Sequence, residues 1–315
     1  MEVNKKLGEL RIGDQVEGCY VLKAAQTRTS AAGKPFLIAS LTDRSGGIEA
    51  KMWDYSGPIG PRQEGQIVWV HGAVNEFRGA PQLILEKLRL AGEEDHYLVE
   101  DLVPVAPMDA DAALREVEAL VASIEDPDYR LVCETMLAEH REALRTIPAA
   151  KSVHHSFLSG LLMHTSNMLK MADALAKIYG DFVDRSLLLA GTFLHDFAKE
   201  KEFTFSPLGL VTGYSTKGQL LGHLVMGAQD VAETAARLGI PEEKSVLLQH
   251  LLLSHHGEPE YGAAVRPICA ESELLSLIDM SDSRMEIYRE TLETLEPGQV
   301  SNRIFALEKR VYRHR

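Results

Sequence analysis

Leu187-Leu188-Leu189-Ala190-Gly191-Thr192-Phe193-Leu194-His195-Asp196 is the stretch on which the fold turns. Its apolar run reads as a buried helix, well short of the ~20 residues that cross a bilayer. It closes on a histidine and an aspartate. An aspartate at the end of so apolar a helix buries a charge unless it is paired or bound to a metal. The segments around it repeat the pattern. His164 lies among Leu161, Leu162, Thr165, Met168, Leu169 and Ala172; His223 follows Leu220-Leu221-Gly222; His255-His256 end a Leu-rich helix over 246–253; Asp279 follows the apolar stretch 274–278. Imidazoles and carboxylates at the ends or centres of apolar helices suit a metal site in a helical core, with N and O ligands from several helices.

Histidine placement strengthens this. Eight of the 12 histidines fall between residues 154 and 256, about a third of the chain. Taken singly, each would more often be a surface or satisfied core residue than a ligand. His250 is five residues from His255, off the same helical face, and reads as structural or as support for a ligand.

Beyond this region the chain changes character. Five segments, 16–25, 35–42, 47–54, 66–75 and 82–90, are rich in Val, Ile, Leu and aromatics and are separated by Gly/Pro/Asp/Ser turns, which predicts a five-stranded OB-type barrel. Acidic Gly92-Glu93-Glu94-Asp95, then Pro104 and Pro107, mark a boundary, and from Asp109 the periodicity is helical. The expected fold is therefore multi-domain: an all-β OB-like barrel over 1–92, an acidic linker and helices over 93–149 packing on the domain that follows, an all-α domain over 150–290, and a C-terminal helical tail over 291–315. The basic end of that tail, Lys309 to Arg315, reads as a solvated helix end.

The 315 residues are 45% hydrophobic and 25% charged, which excludes disordered, collagen-like and coiled-coil chains. Net charge is −13, unevenly spread: residues 1–92 carry 12 Lys+Arg against 10 Asp+Glu, the rest 21 against 36. A mildly basic front end on an acidic bulk is compatible with a polyanion-binding module. No signal peptide or membrane span is expected, and Cys19, Cys133 and Cys269 are too few and scattered for a disulfide framework; the expected setting is a reducing cytoplasm. In the barrel, Phe36, Trp53, Trp69 and Phe77 could stack on bases, with Lys34, Lys51, Arg28 and Arg78 tracking a backbone. Core packing is the competing reading for at least half of these aromatics.

His164, His195-Asp196 and Asp279 together resemble the H…HD…D signature of the HD phosphohydrolase superfamily, and Lys199 fits its HD-x-x-K form, with Ala198 where many members have Gly. Three segments are similar to the YhaM family of 3′-to-5′ exoribonucleases: His154-His155-Ser156 through His164-Thr165, Leu220-Leu221-Gly222-His223, and Leu253-Ser254-His255-His256-Gly257. So are Gly33-Lys34-Pro35-Phe36, Leu41 through Gly46, and Met52-Trp53-Asp54, and so is the order of parts. The likeness spans roughly residues 8–290; its HD part is specific, whereas OB-like segments alone occur in many unrelated proteins.

The resemblance implies a metal-dependent phosphodiesterase. An ion lowers the pKa of a bound water, and two ions ~3.5–4 Å apart can hold both the attacking and the leaving oxygen. His164, His195, Asp196 and Asp279 would hold a first ion, with Asp196 bridging to a second held by His223 and His255 or His256; Asp282 is the substitute for Asp279. Lys199 would meet the substrate phosphate, and His154 and His155 would contact substrate or simply be polar residues ahead of a helix. The cofactor is one or two divalent ions, manganese first, with iron, cobalt or zinc as alternatives. The expected substrate is single-stranded RNA or DNA, guided by Phe36, Trp53, Lys34 and Lys51. The alternatives are hydrolysis of a free or cyclic nucleotide with the barrel as an adapter, and a non-catalytic binding module with a decayed HD fold. A full ligand set argues against the last. The helix-rich acidic half also offers surfaces for self-association.

Overall fold

The computed structural model describes residues 4–151 and 155–315. It divides into two compact units, one comprising the chain to Val105 with Ser206–Leu208, the other the rest from Ala106 to Arg315.

The first unit is a closed barrel of β1 (Gln15–Thr29), β2 (Pro35–Asp43), β3 (Gly46–Trp53), β4 (Ile67–Phe77) and β5 (Ala80–Leu90), in the order β1-β2-β3-β5-β4. All pairings are antiparallel except β3–β5, the parallel closure of an OB barrel. Period-two alternation fills the interior: Leu37, Ala39 and Leu41 of β2 face Val68, Val70 and Val74 of β4 and Leu83 and Leu85 of β5 in one core. β4 and β5 slip register beside Gly72, where a Cβ would stand 2.2 Å from the Ile84 carbonyl oxygen. Only glycine permits that approach.

The barrel unit extends beyond the expected boundary at residue 92. Arg89 grips Asp95 through both guanidinium nitrogens, at 2.5 and 2.7 Å, and the Arg44 amide donates to the Asp101 carbonyl at 3.0 Å. What reads in sequence as a solvated acidic linker is folded back, and a short helix, α1 (Val99–Leu102), ends it.

The second unit holds α2 (Ala110–Ala122), α3 (Pro127–Thr146), α4 (Gly160–Ile178), α5 (Arg185–Leu194), α6 (Lys199–Glu202), a hairpin of β6 (Phe203–Phe205) and β7 (Val211–Tyr214), then α7 (Thr216–Leu238), α8 (Glu242–Ser254) and α9 (Ala270–Glu293). Asp109, Asp126 and Asp184 cap α2, α3 and α5 by accepting their first amides. The stretch Leu187–Leu194 is entirely buried, and Gly191 lets α5 approach α8, since a Cβ there would stand 2.2 Å from Leu251. The expected C-terminal helix ends at Glu293. Pro297-Gly298 break it, and the β-branched residues beyond form a hairpin-like arm with bridges Val300–Tyr312 and Ile304–Lys309. Among the described residues no helix is long and apolar enough to cross a membrane, and the three cysteines are free.

Candidate metal centre

Four buried imidazoles converge where α4, α5, α7 and α8 meet, and each is fixed through Nδ1. His195 and His255 donate to carbonyls one turn back, Thr192 and Leu252, each at 2.7 Å. His164 donates to Asp282 Oδ2 at 2.7 Å and His223 to Glu202 Oε1 at 3.0 Å. These oxygens only accept, so Nδ1 carries the proton and Nε2 is left to carry whatever cation the site holds, a proton or a metal ion.

The four Nε2 atoms surround Asp196. Its Oδ2 lies 3.2 Å from His195 Nε2 and 3.7 Å from His164 Nε2; its Oδ1 lies 3.4 Å from His223 Nε2 and 3.9 Å from His255 Nε2. One carboxylate thus faces a histidine pair with each oxygen. Asp279, from α9, brings Oδ1 to 3.3 Å from His164 Nε2. Asp282, one turn on, is on the opposite edge of the same ring and also accepts from Asn167 Nδ2 at 3.0 Å. Spacing in α9 therefore separates two similar aspartates: one faces the centre, the other orients His164 from behind.

The donor set fits a divalent cation. Asp196 Oδ1 and His223 Nε2 are buried, have no hydrogen-bond partner, and face each other. Two such acceptors are costly to bury unless a positive charge lies between them. His164 Nε2 and His195 Nε2 are 3.3 Å apart, close enough to share one cation. Among the described residues three donor groups result: His164–His195–Asp196, His223–His255–His256 and, on the far side of the His164 ring, His155–His164–Asp282. His256 joins the second at partial burial, and burial followed by the charge of His223 holds its pKa down. His250 is elsewhere, accepting from the Ile268 amide at 3.2 Å.

The electrostatics are those of a cation site. Burial works to raise the Asp196 pKa, but the positive charge that His195 and Lys199 can carry overrides it and holds the carboxyl well below its usual range. Burial also opposes the shift at Asp279, where the His164 hydrogen bond prevails and keeps the acid ionised. His164 is the converse. Burial would lower its pKa, yet the bonds to Asp279 and Asp282 push it up to about 9. Burial, then His195 and His256, keep His255 neutral.

Lys199 Nζ sits 2.6 Å from Asp196 Oδ2, so its charge is spent on that carboxylate here. His155 is buried with its ring centroid 5.1 Å from that of His164 and its Nε2 3.4 Å from Asp282 Oδ2, behind the ligand rather than in the centre. His154 lies outside the described residues. One residue of the site was not singled out in the sequence. Glu202 belongs to Lys199-Glu200-Lys201-Glu202, which looks like a solvated charge run, yet it is 7% exposed and holds His223 at both its amide and Nδ1. The signal was the turn of α7: Gly222, at φ +71°, breaks the helix and frees the His223 amide for Glu202.

On the barrel, Phe36 and Trp53 are register partners on the outer face, ring centroids 5.3 Å apart, and Lys51 Nζ lies 3.5 Å from the Trp53 centroid and 4.4 Å from that of Phe36. Lys34 pairs with Asp54 at 3.2 Å in full exposure. Core packing does not claim any of the four aromatics. Trp53 and Phe77 are about half exposed, and Trp69 points out between the buried Val68 and Val70 with the Arg89 guanidinium 4.7 Å from its ring.

An HD-type metal-dependent phosphohydrolase is the class these features define, and the HD domain family matches residues 161–283. The chain is 36% identical to the 3′-5′ exoribonuclease YhaM of Oceanobacillus iheyensis over 96% of its own length and 94% of that protein. Identity is also 36% to the YhaM of Halalkalibacterium halodurans (96% and 93%) and 35% to that of Bacillus subtilis (96% and 95%). The chain belongs to the YhaM family of 3′-5′ exoribonucleases. Among solved structures, the second OB-fold domain of replication protein A from Methanococcus maripaludis is similar at 17% identity, over 30% of this chain and 98% of that one, with a TM-score of 0.21. The barrel's class rests on its own strand order.

Proposed function

We propose that this protein shortens single-stranded RNA from its 3′ end by hydrolysing phosphodiester bonds at the histidine–aspartate centre. The observation that carries the chemistry is Asp196, one oxygen toward each histidine pair. Polymer and direction are supported by what the relatives are named for. His164, His195, Asp196 and Asp279 would hold one ion; Asp196, His223 and His255, with His256 alongside, a second. Bound divalent ions neutralise the phosphate oxygens and make water acidic enough to attack near neutral pH. Manganese is our first choice, as the mixed N/O donor set suits it along with iron, cobalt or zinc.

The chain's own residues do the rest. Glu202, Asp282 and the two carbonyls hold the imidazoles in place, so substrate meets a rigid site. Lys199, one turn beyond Asp196, would offer its ammonium to a phosphate drawn by the cations of the site. Phe36 and Trp53 hold bases by stacking, with Lys51 and Lys34 near the backbone. A cytoplasmic setting, where RNA is made and turned over, goes with that substrate.

The test is a manganese-supplemented assay on 5′-labelled single-stranded RNA and DNA, with metal analysis of the protein. We expect a ladder receding from the 3′ end, lost in chelator and in Asp196→Ala, with Asp196→Asn as the isosteric control. Near wild-type turnover by both variants would overturn the assignment. Hydrolysis of a free or cyclic nucleotide with polymer left intact would move the substrate to that smaller class.

A further inference from the structure

The C-terminal arm is chemically unlike the unit it belongs to. Residues 106–296 carry 16 Lys+Arg against 30 Asp+Glu, whereas five of the last 13 residues are cationic (Arg303, Lys309, Arg310, Arg313 and Arg315) against one acidic side chain, Glu308. Elsewhere in the unit that acidic surplus draws cations into ion pairs, as at Arg145–Asp111, Lys201–Asp230, Arg237–Glu139 and Lys244–Asp126. None of the five cations of the arm forms one among the described residues.

The arm is nonetheless built. Its strands are joined by Gly298 N to Arg313 O at 2.7 Å, Ser301 N to Val311 O at 2.8 Å and Ile304 N to Lys309 O at 2.9 Å. Leu307 and Val311 are buried, and Arg313 donates to the Leu292 and Leu295 carbonyls at the end of α9, which fixes the base of the arm. At the tip, Phe305 is 96% exposed, the most exposed large apolar side chain among the described residues, and Tyr312 is 55% exposed. A phenylalanine left in water on a fixed support gains nothing from the fold. It shares the arm with cations that form no ion pair among the described residues, so the arm carries the two elements that hold a single strand: a flat face for a base and charge for the phosphates.

We propose that the C-terminal arm, residues 298–313 with Arg315, is a second contact for single-stranded RNA, in which Phe305 stacks on a base and Arg303, Lys309, Arg310 and Arg315 meet phosphates. The inference rests on the reading of the substrate as single-stranded RNA. The residues it invokes belong neither to the barrel nor to the metal centre.

The experiment measures binding by the full chain of fluorescent RNA blocked at its 3′ end with phosphorothioate linkages. One strand fits within the ~4–16 nucleotides that a single OB-fold engages, and one is twice as long. Wild type binds the longer strand more tightly. Phe305→Ala weakens that strand by about fivefold or more, the lower end of what loss of one stacked base does, and Phe305→Trp restores it. Lys309→Gln and Arg310→Gln each flatten the dependence of log K on log salt by about 0.7, one phosphate contact on a single strand. All of these positions are exposed, and thermal melting checks that the variants fold. If they bind both strands like wild type with the same salt slope, the arm is not a nucleic-acid contact, while the proposed function stands. If wild type binds neither strand and shortens no RNA, the substrate reading itself fails. A change in sedimentation with RNA binding intact would make the arm a self-association face and overturn the proposal.

Discussion

His164 shows how much one side chain's surroundings decide. With its pKa pushed up to about 9, it is protonated near neutral pH until an ion displaces that proton. Metal affinity should therefore rise with pH until about 9 is passed, and binding near neutrality should release close to one proton. Calorimetric titration with manganese in buffers of different ionisation enthalpy reads this directly; an enthalpy indifferent to buffer would contradict it. Glu202 and Asp282 touch no substrate, yet each orients a ligand. Removal of such a supporting partner typically weakens metal affinity about 10–100-fold, so Glu202→Ala and Asp282→Ala should show that loss in a metal titration while melting as folded proteins. The buried histidine–aspartate cluster was legible in the sequence because its residues end or centre apolar helices. Glu202 was not, because alternating Lys and Glu look the same whether the last of them faces water or a histidine.

At the scale of elements, glycines and one clamp carry the geometry. Gly191→Ala would press a methyl into Leu251 at the α5–α8 crossing, and overpacking of this kind destabilises by about 1–3 kcal/mol; a lowered Tm of the second unit checks it. The Arg89–Asp95 clamp makes a pH prediction for the first unit. The Arg89 hydrogen bonds, then the Gly92 amide, lower the Asp95 pKa to about 2. A depressed acid contributes stability that is complete above its unfolded pKa, 3.8, and is lost as pH falls through about 2. Asp95→Asn should therefore lower barrel stability near neutral pH and make little difference at the acid end of that window, followed by denaturant melts. The same clamp explains the misplaced boundary: charge density at 92–95 suggested a linker, and only the three-dimensional partner of Asp95 shows otherwise. Conversely, alternation sufficed for the five strands, since a closed barrel forces every second residue inward.

For the whole molecule, the division into a barrel and a helical unit was readable from the change of period near residue 109, and family resemblance supplied the rest. Which polymer the chain handles was not readable, because stacking rings and scattered lysines serve any single strand. The arrangement predicts a split in kinetics. Trp53→Ala should raise KM for long RNA, with hydrolysis of a small chromogenic phosphodiester little altered, whereas Asp196→Asn should abolish both. Equal loss of both activities in Trp53→Ala would remove the barrel face from substrate binding.

The fixing of His164, His195, His223 and His255 by their own Nδ1 bonds carries one more consequence. The ordering of the rings is completed when the chain folds, so the centre behaves like a chelator already attached to its resin. Loading and stripping should be fast and repeatable, and a protein of this design would report the trace-element supply of its growth medium. Cultures raised on manganese, iron or zinc should each yield protein carrying the ion they were given.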